Sequence, residues 1–124
     1  METLAPFRSL AEIPVTPLWD GLDARLIHGE NATFSVIEIA PNAIASEHRH
    51  PHDQIGLCVK GELTLTIDGI ARTLRPGDTW CIPPNVVHDA AGGPEGAVVV
   101  EIWGPVREDF LELQPEATRA PQWP

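Results

Sequence analysis

Cysteine is scarce in this 124-residue chain, basic side chains are outnumbered by acidic ones, and long apolar runs are missing. Each shortage closes off a class of protein. Cys58 and Cys81 are too few for the disulfide framework of a small secreted domain. Both sit in apolar, strand-like surroundings (Leu57-Cys58-Val59 and Trp80-Cys81-Ile82), which reads as two buried thiols. Eight Lys and Arg against 18 Asp and Glu leave a formal charge of -10, and no basic cluster appears anywhere. Nucleic acid and anionic membranes are therefore excluded as partners, because phosphate binding needs a basic footprint. The same field opposes an anionic small molecule, so a site for one needs local positive charge from a metal and an arginine. No apolar run approaches the ~18 residues of a membrane helix. Met1-Glu2-Thr3-Leu4 lacks the basic start and apolar core of a signal peptide, so the expected location is cytoplasmic.

What is present is ordinary globular material, 43% apolar and 21% charged, in a length suited to one domain. Residues 1–23 carry Pro6, Pro14 and Pro17 among Phe7, Leu10, Ile13, Val15, Leu18 and Trp19. Proline excludes a helix interior, and this much apolar surface is not left in water, so an arm packing on the body or on a second subunit is expected. From residue 24 the period is two. Ala24 to His28 is a short strand, and Thr33 to Ile39 places Phe34, Val36 and Ile39 against Ser35 and Glu38, with Ile37 interrupting the alternation. His28, before Gly29-Glu30-Asn31, reads as a surface turn histidine.

Gln54 to Val59 is a strand that Gly61 is expected to break. Leu63, Leu65 and Ile67 then alternate with Thr64 and Thr66 up to Asp68-Gly69, a two-residue hairpin signal, with Ile70 to Leu74 returning. Arg75-Pro76-Gly77-Asp78 has the form of a type II turn. Thr79 to Ile82 is the next strand, Val86 to His88 another, residues 91–96 a flexible glycine-rich loop, and Ala97 to Trp103 a final strong strand. Only Arg107 to Leu113 looks helical. Eight or more short strands at turn spacings of roughly 8 to 12 residues predict an all-β antiparallel barrel or sandwich.

Residues 48 to 88 concentrate the chemistry. His48 and His50 lie two apart, so one strand face would aim both at one point, Gln54 follows, and His88 arrives after two strand patterns. Three imidazoles and an amide oxygen form a charge-neutral ligand set, leaving a divalent ion its full Lewis acidity. Imidazole suits zinc, nickel, iron, manganese and copper alike, so the expectation is one divalent transition metal ion of open identity. His52, between the ligands, reads as a rim or supporting residue.

These residues resemble the cupin family. Its first motif pairs H-x-H with a carboxylate and a glycine, here His48-x-His50-x3-Gln54-x6-Gly61, with glutamine for the usual glutamate. Its second, G-x5-P-x-G-x2-H, reads Gly77-x5-Pro83-x-Asn85-x2-His88, with asparagine for the second glycine. The resemblance implies a jelly-roll β-barrel, with 24–106 as the barrel and 107–124 as a short helix and proline-rich tail, and it implies pairing into a homodimer. The segment from Glu101 to Phe110 is similar to the tail of small cupins of the pectin-degradation type, which also carry glutamine as a metal ligand. By position, that resemblance implies Glu101 in proton handling, Trp103 in the pocket and Arg107 on the substrate carboxylate. The implied activity is linearisation of 4,5-unsaturated monouronates to open-chain keto uronates. The alternatives are an oxygenase or isomerase of another small molecule, or a sensor cupin that binds without turnover.

Overall fold

The computed structural model describes residues 6–124, so the first five residues of the expected arm lie outside the described part. Eight strands follow in order: β1 Val15–Trp19, β2 Leu22–His28, β3 Thr33–Ile39, β4 Ile44–His48, β5 Asp53–Ile67, β6 Ile70–Leu74, β7 Thr79–Ile82 and β8 His88–Gly104. They form one antiparallel sheet in the order β1-β2-β3-β8-β5-β6, with β4 added on β8 and β7 on β5. The long β5 and β8 pair along most of their lengths and form the spine on which β3, β4, β6 and β7 pair directly, with β2 and then β1 added beyond β3. Leu22, Ile37, Ile39, Leu63, Trp80 and Ile82 meet in the interior. Among the described residues no helix is long and apolar enough to cross a membrane.

Turn chemistry places the strands. Asp68 and Gly69 have φ of 49° and 80°, so Ile67 pairs directly with Ile70 across a two-residue turn. In the Arg75–Asp78 turn the Asp78 amide donates to the Arg75 carbonyl at 2.9 Å, and the Arg75 amide donates to the Asp78 carboxylate at 2.8 Å. Pro17 sits in β1, at the sheet edge, where a missing N–H is tolerated. Before it, Ser9 and Glu12 close a capping box over a 3-10 turn at Leu10–Glu12.

Several expectations are corrected. Gly61 does not end a strand: β5 runs through it with a register shift on either side of this region, a bulge that bends the strand. The expected loop at 91–96 is strand as well, with Gly92 paired to Leu63. A Cβ on Gly96 would lie 2.4 Å from the Ile39 carbonyl oxygen, so the small residues there mark a close strand crossing rather than flexibility. On β3 the core face carries Ile37 and Ile39, while Val36 and Glu38 are buried on the opposite face. Both faces are covered because the C-terminal tail lies across the outer one. Arg25 donates to Glu38 at 2.8 Å and to the Arg119 carbonyl at 2.8 Å, and the Gln122 amide donates to Glu38 at 2.8 Å.

The expected C-terminal helix is a 3-10 turn, Glu108–Glu112, closed by bonds from Phe110 to the Arg107 carbonyl and from Leu113 to the Phe110 carbonyl. Cys58 is buried but Cys81 is exposed, and both are free. In β7 the inward places belong to Trp80 and Ile82, which leaves Cys81 on the outer face.

Candidate metal centre

His48 is the last residue of β4 and His88 the first of β8, and the two are directly paired, with ring centroids 4.3 Å apart. His50 does not share a strand face with His48 as expected, because β4 has already ended. It is brought in from a turn instead. The Asn85 amide donates to the His50 carbonyl at 2.7 Å, stapling the segment after β4 to the turn before β8. Asn85 takes φ of 64°, a left-handed conformation that asparagine tolerates, which explains its presence where the motif has glycine. His50 then lies 4.9 Å from His88 and 5.9 Å from His48, centroid to centroid.

The hydrogen bonds behind the rings set the nitrogens. His48 Nδ1 is 2.6 Å from the Ser46 carbonyl and His88 Nδ1 is 2.8 Å from the Val86 carbonyl. A carbonyl only accepts, so each Nδ1 carries the proton and each Nε2 keeps a lone pair facing its neighbours. His50 Nε2 is 2.9 Å from Gln54 Oε1. The three histidines each offer a nitrogen, all within 4.8 Å of one another, and His88 Nε2 is buried with no hydrogen-bond partner. A buried orphan lone pair within 4.8 Å of a nitrogen on each of two other imidazoles fits a divalent cation. Burial holds His50 and His88 neutral: it pushes His50 down to about 4, helped by the Arg107 charge, and lowers His88 as well.

Gln54, second in β5, is buried beside His50, and its Nε2 donates to Glu101 Oε2 at 2.5 Å. Glu101 faces inward from β8, and the same Oε2 accepts from the Trp80 indole at 2.9 Å. Burial raises its pKa, against the two hydrogen bonds that favour the carboxylate. Arg107 is buried and already paired: Nε and Nη2 donate to the two Asp109 oxygens at 3.0 and 2.8 Å. That side-on fork leaves the Nη1 end uncommitted. Its guanidinium lies 3.8 Å over Phe110 and 5.2 Å from the Trp103 ring centre. His52 is half-buried, 5.4 Å from His50, and burial lowers its pKa too.

A cavity of about 380 Å³ joins His48, Gln54, His88, Glu101, Trp103 and Arg107, with Leu22, Ile37, Leu63 and Leu65 among its apolar lining. His28 does not line it and instead stands 2.9 Å from Thr33 Oγ1. Sequence reading missed Trp80 and Trp19. Trp19 is tilted 5.3 Å from His48, and Trp80 lies over Gly56, where any Cβ would come within 2.1 Å of the indole. The available signal was a glycine inside an apolar strand, which marks close approach of another group.

Comparison with known proteins follows the same line. The family profile described as Cupin domain matches residues 35–103. The chain is 32% identical over 102 residues to the pectin degradation protein KdgF of Dickeya dadantii (strain 3937), covering 81% of this chain and 93% of that one. Among solved structures, KdgF from Halomonas sp. superposes with a TM-score of 0.79 at 25% identity, over 86% of this chain and 99% of that one. An RmlC-like cupin from Shewanella frigidimarina NCIMB 400 gives 0.80 at 27% identity, over 89% and 99%.

Proposed function

The chain belongs to the cupin family, among the small single-domain cupins that resemble the pectin-degradation protein KdgF, and from that premise we propose that it linearises 4,5-unsaturated monouronates to open-chain keto uronates with one divalent metal ion. The observation that supports this reading is the cluster of His48, His50 and His88 nitrogens within 4.8 Å of one another, with the Gln54 oxygen 2.9 Å from His50 and with Glu101 and Arg107 on the same cavity. These four side chains would hold the ion. When bound, it supplies Lewis-acid polarisation of a substrate oxygen.

The chain's own groups account for the rest. The reaction breaks the bond between C1 and the ring oxygen as the anomeric hydroxyl gives up its proton, and a proton goes onto C4, the alkene carbon that does not bear the oxygen, so that C5 becomes the ketone; no atom is added or lost overall. Both hydrogen bonds to Glu101 fall on Oε2, which leaves Oε1 to hold or deliver that proton in the cavity. Arg107 meets the substrate carboxylate with the Nη1 end that Asp109 does not occupy, which answers the repulsion of a chain with net charge -10. Trp103 walls the pocket, and His52 stands behind His50.

The test follows the ultraviolet absorbance of a 4,5-unsaturated galacturonate monomer mixed with purified protein, with and without a chelator. Chelator-sensitive decay well above the spontaneous rate is expected. An unchanged trace from protein that carries metal would remove the sugar from the reading.

A further inference from the structure

An amide ligand is ambiguous in a way a carboxylate is not: it can turn either an oxygen or an NH2 toward the ion. Here the ambiguity is resolved from behind. The Trp80 indole can only donate, so Glu101 Oε2 must be an acceptor there. A proton on Glu101 would then sit on Oε1, so Oε2 presents lone pairs to Gln54 whether or not the acid is ionised. Gln54 must answer with its NH2, and its oxygen is left facing His50.

The chain provides for this arrangement. Trp80 on β7 pairs with Gly56 on β5, and Gly56 also pairs with Glu101 on β8. The missing side chain at 56 lets the indole lie across β5 and reach the carboxylate. We infer that Trp80 and Glu101 are positioning residues that lock Gln54 oxygen-inward and so complete the metal site. This rests on the metal-binding part of the proposed function and is independent of the sugar.

A double-mutant cycle read by cobalt(II) titration separates this from a through-space effect of the Glu101 charge. Glu101→Leu is expected to weaken cobalt binding by at least about tenfold in the wild-type chain, the usual cost of losing a group that orients a ligand. In a Gln54→Ala background the same change is expected to cost no more than about twofold, because the residue it acts through is gone. Glu101→Gln keeps an acceptor for both N–H groups and recovers part of the loss, with the cobalt absorption bands at their wild-type positions. Equal losses in both backgrounds would overturn the inference while leaving the metal site intact. No cobalt binding by the wild-type chain would overturn both. If Glu101→Leu does not fold, Trp80→Phe runs the same cycle, with about a fivefold loss expected in the wild-type chain and none in Gln54→Ala.

Discussion

His50, His52 and His88 are each held by burial below the ordinary imidazole value of 6.5, His50 to about 4. The unfolded chain therefore takes up these protons first as pH drops. Their contribution to stability is complete above pH 6.5 and is lost as pH falls from 6.5 toward 4. Glu101 works the other way: its pKa is raised, so its contribution is complete below the ordinary carboxyl value and is lost as pH rises. In the chelator-treated chain the imidazoles therefore lower the melting temperature between pH 7 and pH 5, while Glu101 acts against that drop. The drop should steepen in Glu101→Gln, which removes the opposing group; about 1 kcal/mol moves the melting point by roughly 4 °C at this size. A melting point that is flat or rising toward pH 5 in Glu101→Gln would show that the imidazoles are charged in the fold. The clustering of His48, His50 and His88 was legible in sequence because ligand chemistry restricts residue types and the motif spacing survives folding. Trp80 was not, because its role depends on a side chain missing from Gly56, on a strand far from it in sequence.

The elements around the site depend on a polar lock on the outside of β2 and β3. Arg25 is buried with Glu38, and Arg119 from the tail donates to the other Glu38 oxygen at 2.9 Å. Removing one partner of a buried pair strands the other charge, whereas the side chain of Arg119 is 42% exposed and keeps water in reach. Glu38→Ala should therefore cost about 3–5 kcal/mol in urea unfolding, and Arg119→Ala about 1 kcal/mol or less. Equal losses would mean that the tail, not the buried pair, carries the effect. This lock also explains where strand reading fell short. Turn chemistry made the Asp68-Gly69 hairpin and the Thr33–Ile39 strand legible to the residue. The face of β3 was misread because Val36 and Glu38 are buried under a tail with no periodic signal of its own. The glycines of β8 suggested a loop because close packing and flexibility both call for a small residue, and only the neighbouring backbone decides which applies.

At the scale of the whole molecule, one exposed row of the outer face, beyond the Arg25–Glu38 pair and the tail, is apolar in a chain that carries -10. The register sets Ile27, Phe34, Ile102, Ile55 and Cys81 side by side across β2, β3, β8, β5 and β7. Ile55 is 53% and Ile102 44% exposed, with Leu57 and Val100 in the next row. Five strands at a spacing of about 4.8 Å make an apolar row roughly 19 Å long, a fitting core for an interface of about 800 Å² per partner. Two copies with the same net acidic charge repel, so this apolar row is where they can meet at least electrostatic cost. We therefore expect a homodimer joined sheet to sheet here, with light scattering at micromolar concentration giving twice the chain mass of 13.5 kDa. Ile102→Glu should give a folded monomer with its cobalt affinity unchanged, because residue 102 points away from the cavity that Glu101 and Trp103 line. Raising salt should tighten the wild-type dimer, since screening weakens the repulsion between the acidic chains and leaves the apolar contact in place. A dimer that loosens in salt would be held by ion pairs and would place the interface elsewhere on the molecule.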